Sequence, residues 1–302
     1  MRQYDPIEWA HPDELPAGMY LNVPDEVYHS LPYASFHRLL PVLRGRTWSH
    51  YRAALDEPDN PTEAMLIGRG LHLAALQPEV YRDTVIDGPI NPKTGQGYNL
   101  GTAKVTEAQE QMPEALVLPP QDRRRVEFMA LQVRQHPVAK LFLEAAGAYC
   151  YETTGIVDYE TQHGVVRCQF RPDIWIPEEQ SIADLKSTED ASESSFSRDI
   201  GKYYYHCQAS MYLEMSYALG YPADSFTFLA VEKEAACWTP SGVVHGVAAH
   251  MLGEDSVDSG RSLIRGALAG LAQCQARDEW PAYSTKLDYI EAPTWALGGY
   301  NG

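Results

Sequence analysis

"RPDIWIPEEQSIADLKST", residues Arg171 to Thr188, sets two aspartates and a lysine inside a stretch that otherwise reads as a tight β-hairpin. From Val166 to Ile176 a period of two predicts one continuous strand. Val166, Cys168, Phe170, Ile174 and Ile176 take one face, and Arg167, Gln169, Arg171, Asp173 and Trp175 take the other. After the turn, Ala183 and Leu185 fall on the apolar side, while Ile182, Asp184 and Lys186 share the opposite face. If the chain reverses through Pro177, Glu178, Glu179 and Gln180, Ile176 faces Ser181. Counting back along both strands then sets Asp173 across from Asp184, and Arg171 across from Lys186.

Opposed side chains in an antiparallel pair have Cβ atoms roughly 5 Å apart, and like charges so placed destabilise the pair. A divalent cation between the aspartates resolves the conflict, because Mg²⁺ takes one or two carboxylates, keeps several waters and completes its shell with substrate phosphate oxygens. Lys186 reaches the same spot and can stabilise an attacking water or developing phosphate charge. The competing explanation is a surface hairpin with solvated ion pairs, worth about 0–1 kcal/mol each. Asp-x-Lys is a short and common string, so the hairpin alone does not choose.

With 302 residues, 44% of them hydrophobic, the chain can bury a large core. Its start, "MRQYDPIEWAHPDELP", has no basic segment followed by an apolar run, and no stretch approaches the ~20 apolar residues of a membrane span. A soluble cytoplasmic protein without a membrane partner is expected. Five widely spaced cysteines, Cys150, Cys168, Cys207, Cys237 and Cys274, argue against a disulfide framework, a zinc knuckle or an iron–sulfur cluster.

A net charge of −17 is unusual for a nucleic-acid binder, since phosphate recognition rests on clustered Lys and Arg. Between Val27 and Leu55, however, no Asp or Glu occurs, and Arg38, Arg44, Arg46 and Arg52 occur with His29, His37, Trp48, His50 and Tyr51 among them. A solvated helix face accounts for any single arginine. As a group they are the best DNA-facing candidate.

Further along, "DEPDNPTEA" reads as a turn and Ala64–Leu76 as a helix closed by Gln77 and Pro78. Gly68, His72 and Leu76 share one of its faces, with Gly68 expected to admit another backbone; a histidine so placed is ordinarily a packed core residue. "IDGPINPKTGQGYNLG" is a polar loop. Residues 121–146 read as one or two helices broken at Pro137, with Val126, Met129, Ala130 and Val133 buried and Arg123, Arg124 and Arg125 near the start. A strand from about Ala148 to Asp158 carries Glu152, and the next follows a turn at His163 and Gly164. "DIGKYYYHCQASMYLEMSYALGYP" is expected as one helix with Tyr205, Gln208 and Tyr212 on one stripe. A strand "SFTFLAVEKE", a helix around Ser262–Arg277 and an aromatic, Pro-rich tail complete the chain.

Helix with histidine, strand, strand with Asp, strand with Asp-x-Lys, helix with Gln and Tyr, strand: this order resembles the PD-(D/E)XK nuclease superfamily, an α/β fold with a central mixed sheet flanked by helices. "YHSLPYASFHRLL", "GRGLHLAALQPE", "YETTGIVDYETQHGVVRCQFRPDIW" and "IADLKSTEDASESSFSRDIGKYYYHCQASMY" are similar to the RecE-type, exonuclease VIII-like branch, over about Val27 to Trp280. The acidic residue before Lys186 is Asp184 rather than the commoner Glu, and the cysteines of the iron–sulfur relatives are missing. The resemblance implies one nuclease domain over 1–302, with a basic, aromatic N-terminal extension (1–60), a catalytic core (61–235) and a C-terminal helix and tail (236–302).

It also implies roles. Asp173, Asp184, the Leu185 carbonyl and His72 would hold Mg²⁺, with Mn²⁺ as a substitute, and Glu152 would be an outer or second-metal carboxylate. Lys186 would orient and help deprotonate the attacking water, while Gln208 and Tyr212 would shape the site and contact the scissile strand. Arg44, Arg46, Arg52 and Arg171 are the expected DNA contacts. The implied activity is hydrolysis of linear duplex DNA from a 5′ end, leaving a 3′ overhang for strand annealing in recombination, by a homo-oligomer of phage or prophage type partnered with double-stranded DNA ends and a single-strand annealing protein. An endonuclease, a RecB-like nuclease of other polarity, and a non-catalytic DNA-end or protein-binding module on the same scaffold are the alternatives.

Overall fold

Between Phe170 and Ile174 the chain leaves one sheet and enters another, and these three intervening residues decide where the hairpin charges point. The computed structural model describes residues 5–10, 15–56, 61–147, 150–239 and 242–293. Parts of the expected DEPDNPTEA turn, of the strand start at Ala148 and of the C-terminal tail lie outside them.

The first sheet has the order β1 (Ile7–Glu8), β2 (Gly18–Leu21), β5 (Thr154–Thr161), β6 (Gly164–Phe170). The second has the order β10 (Gly242–Met251), β9 (Ser225–Thr239), β8 (Ser181–Thr188), β7 (Ile174–Ile176). A small parallel pair joins β3 (Val85–Asp87) to β4 (Leu116–Leu118). Three short helices follow β2: α1 (Asp25–Ser30), α2 (Phe36–Leu43) and α3 (Trp48–Ala54). Then come α4 (Glu63–Leu76), α5 (Pro78–Thr84), α6 (Ala103–Gln111), α7 (Pro120–Gln135) and α8 (Pro137–Ala145). After β8 lie α9 (Glu193–Tyr203) and α10 (Tyr205–Ala218), and α11 (Glu254–Arg277) follows β10.

The second sheet is covered on both faces, as the parallel pairing of β8 with β9 favours. Trp175, Ile182, Phe226, Phe228 and Ala230 face a core shared with α10, α11 and β6. Ile174, Ile176, Ala183, Leu185, Leu229 and Val231 face a second core with α4 and α7. Alternation along β8 therefore puts Asp184 and Lys186 on the α10 side, at the edge of the first core.

The hairpin register is as the loop count predicts: Ile174, Trp175 and Ile176 pair with Ala183, Ile182 and Ser181. The single strand predicted from Val166 to Ile176 does not form. Val166, Cys168 and Phe170 pack with Trp175 in one core, so the period of two breaks at residues 171–173. Arg171 consequently does not face Lys186. Within the first sixty residues, β2 pairs antiparallel with β5 and so belongs to the first sheet.

Local sequence explains the helix that carries His72. Thr62 caps α4 by accepting from the Met65 amide, Glu63 occupies its first turn, and Pro78 follows its end. The close approach expected at Gly68 occurs at Gly70, where a Cβ would meet a Leu118 methyl at 2.9 Å; the space at Gly68 is open. The one helix expected after the hairpin is two, broken at Tyr204, which adopts φ 60° and ψ 32°. Gly260 lets α11 lie against α10, since a Cβ there would fall 2.3 Å from the His206 carbonyl oxygen. The tail packs as far as Trp280, stacked on Tyr51, and Tyr283, edge-on to His50, whereas Leu287, Tyr289 and Ile290 are exposed.

Candidate active site

Side chains from β8, from α4 and α10, and from the segments just before β5 and β7 converge where β6 gives way to β7. Glu152 lies before β5 with φ 50°, off the strand predicted to carry it, and its amide donates to the Asp173 carbonyl at 3.2 Å. This bond ties the start of the first sheet to the start of the second. His72, from α4, has Nε2 2.8 Å from the Leu185 carbonyl oxygen, while its Nδ1 lies 3.4 Å from Asp173 Oδ1 and 3.6 Å from Glu152 Oε1.

Each aspartate has one oxygen held by a protein N–H, and the other turns to a basic side chain. Asp173 Oδ2 accepts from the Leu185 amide at 2.6 Å, leaving Oδ1 toward His72. Asp184 Oδ1 accepts from Gln208 Nε2 at 2.9 Å. Its Oδ2 is buried and ion-paired with the Lys186 ammonium, yet accepts no hydrogen bond of good geometry. Lys186 also lies over the Tyr205 ring, 5.0 Å from its centroid. Exposure falls from 27% for the His72 side chain to 1% for Asp184, so the site opens on the His72–Glu152 side.

Burial and crowding of like charge shape the titration. Burial, reinforced by Asp173, pushes Asp184 up to about 6, against the pull of Lys186. Burial, with Glu152 beside it, also raises Asp173 against the pull of His72. For His72 burial works the other way, but Asp173 and Glu152 outweigh it and raise the imidazole to about 9. Lys186 is likewise opposed by burial and held well above its ordinary value by Asp184 and Asp173, so it is an ammonium throughout the neutral range.

These residues fit a divalent cation. Carboxylate oxygens of Asp173 and Glu152 and a His72 nitrogen lie within 4.8 Å of one another, and the Leu185 carbonyl oxygen lies 2.8 Å from His72 Nε2; Asp184, ion-paired with Lys186, stands outside that group. Mostly hard oxygen donors with one imidazole suit Mg²⁺ or Mn²⁺. The amides of Gln208 and Leu185 orient the ligating carboxylates from behind. Because His72 binds a proton up to about pH 9, metal binding has to displace it. Affinity for Mn²⁺ is therefore expected to rise between pH 6 and pH 9, with Asp184 protonation weakening it further below about 6. Titration calorimetry in buffers of different ionisation enthalpy should show proton release at pH 7.5, and pH-independent affinity without proton release would remove His72 from the ligand set.

The other expected site residues are placed differently. Tyr212 is buried against Phe170 and Phe226, with its hydroxyl 3.5 Å from Gln208 Nε2, so it supports Gln208 and does not line the opening. Arg171, expected at DNA, is 9% exposed and employed inside. Its guanidinium donates to Thr154 Oγ1, Asp25 Oδ1 and the Val23 carbonyl, and lies 4.2 Å over the Tyr28 ring. Arg52 pairs with Asp56 at 2.7 Å. Arg44 and Arg46 are exposed in the turn between α2 and α3, and α2 packs against α10 and α11. Arg123 pairs with Asp87 and Glu127, and Arg125 with Asp122 and Glu234. Tyr205 was given no role by its sequence stripe; a basic and an aromatic run side by side, Lys202 to Tyr205, is the only signal it leaves.

A mixed sheet flanked by helices, with an aspartate pair and a lysine at the seam, defines the PD-(D/E)XK nuclease fold. The profile of the PDDEXK-like domain of unknown function (DUF3799) matches residues 45–293, and the chain belongs to that family. A crystal structure named "Putative exonuclease", from Eubacterium rectale, superposes with a TM-score of 0.58 at 10% identity, covering 93% of this chain and 99% of that one. A phage related exonuclease from Haemophilus somnus gives 0.31 at 12% identity over 59% of this chain and 85% of that one. No curated protein matches the sequence. Among the described residues no helix is long and apolar enough to cross a membrane.

Proposed function

We propose that the protein is a divalent-metal-dependent exodeoxyribonuclease that degrades linear duplex DNA 5′ to 3′ and leaves 3′ overhangs for an annealing partner. The observation that carries the nuclease reading is the pairing of roles at the two aspartates. Each has one oxygen held by a protein N–H, while the other oxygen of Asp173 faces His72 beside Glu152 and that of Asp184 faces Lys186. Polarity, the annealing partner and a homo-oligomeric state are what the sequence resemblance adds.

A bound divalent cation supplies Lewis-acid polarisation of the scissile phosphate and neutralises its charge. Asp173, Asp184, Glu152, His72 and the Leu185 carbonyl would hold it, Mg²⁺ or Mn²⁺. Gln208 and the Leu185 amide keep the two carboxylates from rotating. Lys186, held as an ammonium by Asp184 and Asp173, donates a hydrogen bond to the nucleophile and stabilises charge on the phosphate oxygens. The opening on the His72–Glu152 side is where the phosphate enters.

Digestion of end-labelled linear, nicked circular and closed circular duplexes with Mg²⁺ or Mn²⁺ tests this. Consumption of linear DNA alone, with the 5′ label released first, is expected. Cutting of closed circles would replace exonuclease by endonuclease, release of the 3′ label first would reverse the polarity, and no hydrolysis of any substrate would overturn the nuclease reading.

A further inference from the structure

The break between α9 and α10 builds a stack of rings that the chemistry above does not use. In a continuous helix side chains two apart point to different sides. Tyr204 in the left-handed region, which residues other than glycine rarely adopt, removes that separation. Tyr203 and Tyr205 consequently stack, with centroids 5.4 Å apart and planes 29° apart. Lys202 lies 4.7 Å over Tyr203 at the outer end, and Lys186 lies 5.0 Å over Tyr205 at the inner end. Phe196 and Phe228 pack around Tyr205, so its ring has little freedom to move.

We propose that Tyr205 is the positioning residue for Lys186, holding the ammonium at the phosphate through the face of its ring. The inference rests on the nuclease reading. Lys186 has two partners, Asp184 and the Tyr205 ring. In the working site Asp184 is also a metal ligand, so its charge is shared. The ring is the partner that Lys186 keeps to itself, and an aromatic face attracts a desolvated cation without accepting its proton. The strained backbone at Tyr204 is what brings this face to the lysine, in keeping with the clustering of such conformations at functional sites.

Replacing Tyr205 by phenylalanine and then by its mono-, di- and trifluorinated analogues weakens the ring's negative face in steps at nearly constant volume. Tyr205→Phe is expected to keep kcat within about twofold, and the trifluoro ring to lower it about tenfold, in proportion to the lost cation–ring attraction. KM for the duplex, the half-saturating Mg²⁺ concentration and the melting temperature should stay constant across the series. Tyr205→Leu should match the trifluoro protein or fall below it. Equal kcat throughout the series would overturn the proposal, as would a loss already complete in Tyr205→Phe, which would assign the effect to the hydroxyl. A change in KM with kcat held would also overturn it. If the unsubstituted protein hydrolyses no DNA, the nuclease reading fails instead.

Discussion

Lys186→Ala is expected to lower DNA hydrolysis by about 10³-fold, the scale of losing one preorganised charge-stabilising donor and its hold on the nucleophile. The side chain is 18% exposed at the end of β8, belongs to neither core, and has an ion pair and a ring contact as its interactions. The fold should therefore survive. What changes is the charge balance at Asp184, whose carboxyl already sits at about 6 and would rise further without the ammonium. Metal affinity is expected to weaken as well, so rates should be compared at saturating Mn²⁺. Single-turnover hydrolysis of an end-labelled duplex, with circular dichroism for the fold, gives the comparison. A folded variant within tenfold of the unsubstituted rate would show that Lys186 is not part of the chemistry.

Arg171→Met is expected to act on stability and not on DNA. Three hydrogen bonds of 2.7–2.9 Å and a ring contact at 4.2 Å end together. The buried Thr154 hydroxyl and the Val23 carbonyl lose their donor. A loss of about 2–4 kcal/mol is expected, lowering the melting temperature by about 5–10 °C. Duplex affinity and its salt dependence should not move. The opposite pattern, an unchanged melt with weaker binding, would return Arg171 to the DNA surface.

How much of this was legible depends on whether the pattern was local. The four-residue loop fixes the β7–β8 register by counting, and Ile174, Trp175 and Ile176 pair with Ala183, Ile182 and Ser181 accordingly. The helix around His72 shows its cap at Thr62 and its stop at Pro78. The sheet change at 171–173 is marked by a single residue that the alternation passes over, Pro172, which has no amide to give a central strand, and the packing of Trp175 with Phe170 then shows the shift. Tyr204 hides the helix break more fully: no glycine or proline marks it, and tyrosine is an unexceptional helix residue. Gly68 and Gly70 are two apart, and only the position of Leu118 tells which one is packed. Arg171 misleads because its partners, Asp25 and Tyr28, come from a distant segment, so its charge looks free when it is committed.

The seam between the sheets has a consequence for when the protein can act. Glu152 belongs to the entry of one sheet, Asp184 and Leu185 to the other, Asp173 to the crossing, and the Glu152–Asp173 backbone bond closes the joint. A chain with one sheet formed and the other undocked holds only part of the ligand set. If the protein cuts DNA as proposed, cutting is confined to molecules that have finished folding. Metal affinity should vanish when the sheets separate, before either one has itself come apart.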